Sequence, residues 1–267
     1  MFAKIKHLAI VSENPALQGE FYGSLFGMRK SRSSSPGEAV VVRDGYVGLN
    51  INPRAPGRQA GLDHFGFEVA EVGLVCSRIR DGYPSIKILE RPSNRPFAGM
   101  STHDPAGNVF DLSQPEMGNR RDLYVEEDWS QDRHIKHFAL RAVDSERVAR
   151  FYRDVFELTE LEKPADDPNS YLSDGRVTLV IFPWKITDYE GSGIERPALD
   201  HIGFRVESAV AFKRDLDALV ERNPALTPRR ARKEPEGQAR LNLFSKCPYG
   251  RLHLSDPDGV LIDVAEG

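Results

Sequence analysis

Cysteine is nearly absent: Cys76 and Cys247 are the only two in 267 residues, far apart and without CxxC spacing. That excludes a disulfide framework and a cysteine-based zinc site. No stretch approaches the ~20 consecutive apolar residues of a membrane-spanning helix. The opening MFAKIKHLAIV also lacks the unbroken apolar run of a signal peptide, so no membrane partner and a cytoplasmic location are expected. Neither sign of charge dominates. With 36 Lys and Arg against 40 Asp and Glu the net charge is -4, without the basic excess of a nucleic-acid binder, and nucleic acid is not an expected partner. What is present is an ordinary globular balance, 40% hydrophobic and 28% charged, in a chain long enough for two domains that each bury a core.

The chain repeats itself. KIKHLAIV (4–11) returns as HIKHFALR (134–141), Phe21-Tyr22 as Phe151-Tyr152, Asp44-Gly45 as Asp174-Gly175, and VGLNINP (47–53) as VTLVIFP (177–183), all at an offset of 130. Further on, LDHFGFEV (62–69) matches LDHIGFRV (199–206) at an offset of 137, and DPAGNVFD (104–111) matches DPDGVLID (256–263) at 152. A growing offset locates insertions in loops. The largest falls between Asn223 and Tyr249, a stretch rich in Pro and Arg that is expected to be an extended loop or lid. Residues 117–133 read as a linker between an N-terminal domain, 1–116, and a C-terminal domain, 134–267. Within each half a strand is followed by a capped amphipathic helix and further strands, and the plan then repeats. The expected fold is α+β, with four βαβββ units paired into two half-open barrels. Asn14-Pro15 opens the first helix and Asp144 or Ser145 its twin, while Leu17, Phe21, Leu25 and Val148, Phe151, Val155 form their buried stripes.

A strand period of two places His7 with Ile5 and Ala9, His137 with Ile135 and Ala139, His64 with Leu62 and Gly66, and His201 with Leu199 and Gly203. Phe65, Phe67, Val69 and Ile202, Phe204, Val206 fill the opposite face, toward the helices. A histidine among small neighbours leaves room for a ligand. Asp111 and Asp263 stand in the apolar strands NVFDLS and VLIDVA, where an ionised carboxylate is costly without a cation. Two neutral imidazoles supply none; a divalent metal does.

These residues resemble the vicinal oxygen chelate superfamily, which includes glyoxalase I, bleomycin and fosfomycin resistance proteins and type I extradiol dioxygenases. The family's closing motif, DPxG before a strand carrying Glu, is similar to DPAGNVFD and DPDGVLID, with Asp in place of Glu. The resemblance implies metal ligands His7, His64 and Asp111 in the first half and His137, His201 and Asp263 in the second. Glyoxalase relatives add a fourth ligand on the last strand of the first unit, where only Asn50 or Asn52 offers an oxygen here. Two histidines and one carboxylate with open positions suit Fe(II), with Mn, Zn and Ni as alternatives.

The resemblance therefore implies an Fe(II)-dependent ring-cleaving dioxygenase acting on a catechol-like or other vicinal-oxygen small molecule. The competing readings are a glyoxalase-like isomerase or resistance-type metalloenzyme without O2 chemistry, and a non-catalytic binding protein. A homo-oligomer is compatible with each. His253 lies where the dioxygenases carry a tyrosine, whereas Ser101 holds that position in the first half, with His103 nearby. On that ground the second half is expected to be the catalytic one. His253 would handle protons, Tyr249 and Cys247 would line the entrance, and Tyr171, Phe182, Trp184 and Phe244 would shape an apolar pocket.

Overall fold

The computed structural model describes residues 2–30, 38–91, 97–115, 117, 129–192, 194, 196–229, 235–244, 250 and 252–267. The first unit runs β1 (Ala3–Ser12), α1 (Pro15–Phe26), β2 (Arg29–Lys30), β3 (Val40–Arg43), β4 (Gly48–Pro53). The second runs β5 (Gly61–Val69), α2 (Val72–Gly82), β6 (Leu89–Glu90), β7 (Met100–His103), β8 (Val109–Ser113). The third follows with β9 (His134–Ala142), α3 (Ser145–Phe156), β10 (Thr159–Glu160), β11 (Ser170–Ser173), β12 (Thr178–Pro183). A short α4 (Ile186–Ser192) leads to the fourth, β13 (Leu199–Val206), α5 (Ala209–Arg222), α6 (Pro235–Phe244), β14 (Leu252–Ser255) and β15 (Leu261–Glu266).

Each half forms one mixed sheet, ordered β2-β3-β4-β1-β5-β8-β7-β6 in the first and β10-β11-β12-β9-β13-β15-β14 in the second. Both keep free edges and so are half-open rather than closed barrels. Two departures from the repeat lie in the fourth unit. Among the described residues it has two strands after its helix instead of three, and the insertion expected as an extended loop carries the ten-residue helix α6. PEGQARLNLF explains the helix: Pro stands at its first position, where no intrahelical N–H is needed, and good helix formers follow.

The expected caps hold. The Asn14 side chain accepts from Leu17 N at 3.1 Å and Asp144 from Arg147 N at 3.0 Å, each satisfying one orphan donor of a first turn. The buried stripes of α1 and α3 enter one continuous hydrophobic cluster that draws on both halves, including Phe21, Leu25, Phe65 and Phe67 with Phe151, Phe156 and Phe204. The helices lie between the sheets, which leaves the outer, concave faces for function. Paired bonds tie the halves with the symmetry of the repeat. Tyr22 Oη donates to Asp256 Oδ2 and Tyr152 Oη to Asp104 Oδ2, both at 3.0 Å, while Ile5 N donates to Asp174 Oδ2 and Ile135 N to Asp44 Oδ2, both at 2.7 Å.

Four β-bulges decide which side chains reach the concave faces. Lys6, Asp63, Lys136 and Asp200 each lack a cross-strand partner where the register shifts, so alternation breaks at these points. The neighbours expected beside the histidines are therefore corrected. Ile5 and Ile135 belong to the helix-facing core, and Leu62 and Leu199 pack against it, while His7 and His64 face the cup of the first half. Ala139 faces outward in the second half, clustered with Tyr171, Val180 and Phe182. A period of two is reliable only between bulges.

Candidate metal centres

The fold brings the six candidate ligands together as two groups of three, with one donor atom of each residue within 4.8 Å of the others: His7, His64, Asp111 and His137, His201, Asp263. They come from the paired central strands β1, β5, β8 and β9, β13, β15. In the first half the two imidazole Nε2 atoms lie 3.2 Å apart and His64 Nε2 is 3.4 Å from Asp111 Oδ2. In the second the two Nε2 atoms are 3.1 Å apart and His137 Nε2 is 3.4 Å from Asp263 Oδ2. Nitrogens at this spacing, each about 2.1 Å from a shared ion, would subtend roughly 95–100° there, as adjacent positions of an octahedron do. Asp263 adds a second sign: both carboxylate oxygens are buried without a hydrogen bond of good geometry, close to imidazole nitrogens. A buried anion with three convergent lone-pair donors fits a divalent cation.

The bulges at Asp63 and Asp200 supply what the sequence reading missed. Side chains at successive strand positions normally point apart, yet Asp63 Oδ2 lies 2.7 Å from His64 Nδ1 and Asp200 Oδ2 lies 2.8 Å from His201 Nδ1. Each carboxylate accepts a hydrogen bond from Nδ1–H, which leaves Nε2 as the nitrogen turned toward the site. The signal was visible as the repeated Leu-Asp-His, but only a bulge lets adjacent residues meet this way. The supports differ in depth. Asp63 forms an exposed ion pair with Arg58, whereas Asp200 Oδ1 is buried against Arg141 Nε at 2.8 Å and Arg240 Nη2 of α6 at 2.6 Å. Those two guanidiniums outweigh the cost of burial and hold the Asp200 carboxyl far below the usual range.

Ionisation follows the surroundings. Burial, reinforced by His64, lowers His7 to about 3, and burial lowers His137 to about 4 despite the nearby Asp263. Burial also works against a charged His64, but Asp111 and Asp63 overcome it and raise that imidazole to about 9. Without metal, the first site is thus an imidazolium held between two carboxylates.

Access separates the halves most sharply. The first triad opens into a cavity of about 600 Å³ whose lining includes Asn50, Asn52, Arg58, Lys87, Leu89 and Arg91. In the second, His137, His201 and Asp263 are 2%, 0% and 0% exposed. An added Cβ at Gly203 would collide with the His137 ring, and one at Gly250 with the Asp263 carboxylate, so this triad is closely wrapped. Tyr171 and Phe182 fill the second cup as core, and Trp184 Nε1 donates to Ile194 O at 2.9 Å. The side chain of Phe244, and Tyr249 and Cys247 entirely, lie outside the described residues. His253 Nε2 is 3.1 Å from Asp263 Oδ1, opposite it in the ladder; Ser101, the matching residue, donates a short hydrogen bond to Asp111 Oδ1. His103 and Asn50 line the open cavity, and Asn50 Oδ1 is buried there without a hydrogen-bond partner.

Comparison with known proteins agrees with this architecture. The sequence profile of the Glyoxalase/Bleomycin resistance protein/Dioxygenase superfamily matches residues 4–112 and 134–264. No curated protein matches in sequence. Among solved structures, a 2,3-dioxygenase from a Pseudomonas species is similar with a TM-score of 0.63 and 16% identity over 99% of this chain and 92% of that one. A homoprotocatechuate 2,3-dioxygenase from Arthrobacter globiformis gives 0.64 and 14% over 100% and 80%. A Mn(II)-bound glyoxalase from Novosphingobium aromaticivorans gives 0.64 and 14% over 99% and 82%. At such identities the structural likeness establishes the fold alone. The profile spans both repeats and includes all six candidate ligands, so the chain belongs to the Glyoxalase/Bleomycin resistance protein/Dioxygenase superfamily.

Proposed function

We propose that the protein is a metal-dependent, extradiol-type dioxygenase acting in the cytoplasm on a small molecule with vicinal oxygens, and that its working centre is His7, His64 and Asp111 in the domain spanning 1–116. The observation that carries this reading is the opening of that His-His-Asp triad into the cavity of about 600 Å³. Fe(II) held there would supply Lewis acidity toward a substrate hydroxyl and redox access to O2. The chain's own residues do the rest. Asp63 fixes the tautomer of His64, Ser101 holds Oδ1 of Asp111 so that Oδ2 faces His64, and Phe97 stacks on His7 with ring centroids 4.9 Å apart, keeping water from that side. His103, whose Nδ1 lies 2.8 Å from Asp104 O, stands on the cavity wall as the group to accept a substrate proton. The second half, favoured in the sequence for His253, is read as a second, enclosed metal site in the domain spanning 134–267.

One observation favours a second reading. Asn50 Oδ1, buried and unpartnered in the open cavity, offers a fourth oxygen of the kind that glyoxalase-like isomerases place on this strand. Anaerobic reconstitution separates the two. The Fe(II) protein is expected to consume O2 with catechols and the Zn(II) protein to be inert; turnover with Zn(II) and no O2 uptake establishes the isomerase type. Elemental analysis and O2 uptake on His64→Ala and His201→Ala assign the half. His64→Ala should lose at least about a thousandfold in rate, whereas His201→Ala loses bound metal but retains turnover. The opposite pattern moves the chemistry to the second half.

A further inference from the structure

The wall of the open cup farthest from the triad is a strand that only the first half possesses among the described residues. β6 pairs with β7 so that Leu89 stands opposite Ser101, and Ser101 stands opposite Asp111 on β8. The pairing continues past the end of β6, with Arg91 N donating to Gly99 O at 3.0 Å, and Thr102 Oγ1 donates to Lys87 O at 2.8 Å. Opposed residues share a face, and so do residues at i±2. Lys87, Leu89 and Arg91 therefore project on the same side as Ser101 and Asp111, and all five line the cavity.

Two of these three are cations. Among the described residues neither the Lys87 ammonium nor the Arg91 guanidinium forms an ion pair, and Arg91 Nε is buried with no hydrogen-bond partner. The other charges of the cup are accounted for: Arg58 is neutralised by Asp63, and Asp111 lies against His64. In a chain with a net charge of -4, two cations that form no ion pair among the described residues thus stand on one wall of this cavity. β6 is two strands from β8, about 10 Å at ~4.8 Å per strand, which is the span of one aromatic ring with a short acidic substituent.

Resting on the reading of the first cup as the substrate site, we infer that the cup is selective for an anionic substrate: a small ring with vicinal oxygens at the His7–His64–Asp111 end and a carboxylate at the other, paired with Arg91 and Lys87. The guanidinium fork matches a carboxylate in two-point geometry, and Lys87 adds a longer-range charge. Leu89 and Val109 between them present apolar surface to the ring.

Calorimetry on the Zn(II)-loaded protein tests this without turnover. The ligands are 3,4-dihydroxybenzoate and 3,4-dihydroxybenzamide, which share size and hydroxyl pattern and differ in charge. The carboxylate is expected to bind at least about tenfold more tightly at low ionic strength, and the preference should shrink with added salt. Arg91→Gln should reduce the preference to about threefold or less through loss of carboxylate affinity, Lys87→Gln should reduce it by a smaller factor, and amide affinity should stay within about twofold. Equal affinities in the unaltered protein, failure of both ligands to bind, or equal weakening of both by Arg91→Gln would overturn the inference. O2 uptake by the Fe(II) form reports separately on the chemistry. Charge preference without O2 uptake keeps the anionic site and removes the dioxygenase, and O2 uptake without charge preference does the reverse.

Discussion

At three equivalent positions of the two repeated sheets, the first half carries Val41, Asn50 and Asn52 where the second carries Tyr171, Val180 and Phe182, each pair 130 residues apart. The larger, apolar set packs with Ala139 and closes the second cup, while the smaller and partly polar set leaves the first one open. The insertions act in the same direction. After its second helix the first half adds the edge strand β6 and its cations, whereas the second adds α6, whose Arg240 reaches down to Asp200 behind the candidate ligand His201. Duplication thus preserved the donor geometry, with Nε2 spacings of 3.2 and 3.1 Å, and let access diverge. Metal binding depends on a few fixed strand positions, whereas a cavity depends on the volume of every residue around it.

That contrast is open to attack at its supports. Asp200→Asn removes the charge between two buried guanidiniums and should destabilise the protein by about 3–5 kcal/mol, while Asp63→Asn, whose partner Arg58 is exposed, should cost about 1 kcal/mol or less. Each change should also weaken metal binding in its own half about 10–100-fold. Denaturant melts and metal titrations on the two variants would read this, and equal stability losses would contradict the difference in depth.

The ionisation of His64 sharpens the comparison next. Its folded value of about 9 lies above the ordinary 6.5, so the metal-free fold binds the proton more tightly than the unfolded chain. The resulting stabilisation is fully present below pH 6.5 and is lost as the pH rises through 9, by roughly 3 kcal/mol. On the acid side, His7 and His137 are neutral in the fold, and stability falls as the pH drops below 6.5 toward their values of about 3 and 4. Metal at the first site requires His64 to release its proton, so affinity there should rise with pH up to about 9, and the alkaline loss should disappear in the loaded protein. Thermal melts from pH 5 to 10 with and without Zn(II) provide the test; a flat alkaline limb without metal would refute the assignment.

The smallest expected effect concerns what the halves share. Tyr22→Phe and Tyr152→Phe each remove one hydroxyl bonded across the interface and should each cost about 1 kcal/mol, equally, since their bonds to Asp256 and Asp104 are alike at 3.0 Å. Urea denaturation of the two variants and their double mutant measures this. Clearly unequal losses would show that the interface has diverged along with the cups.

Much of this was legible in the residues. Asn14 and Asp144 announced their helices, and the repeated DPAG and DPDG marked equivalent segments in which the first aspartate accepts from its own backbone, Asp104 from Ala106 N and Asp256 from Gly259 N, each at 2.8 Å. The repeat located all six candidate ligands. The faces of Ile5 and Leu62 were misread because a bulge consumes one residue without marking the sequence, and the contacts of Asp63 and Asp200 with the neighbouring imidazoles were missed for the same reason. α6 was hidden in a stretch whose Pro and Arg content suggested a loop.

By itself the sequence determined the duplication, the secondary-structure plan and the donor set, since these depend on local periodicity and on residue types at fixed spacing. Only the tertiary structure decided which triad opens into a cavity and which is enclosed. Openness is set by side chains from separate strands, such as Asn50 against Val180 and Asn52 against Phe182, and by which segment folds over each cup. Those are relations among residues distant in the chain, and no local pattern encodes them.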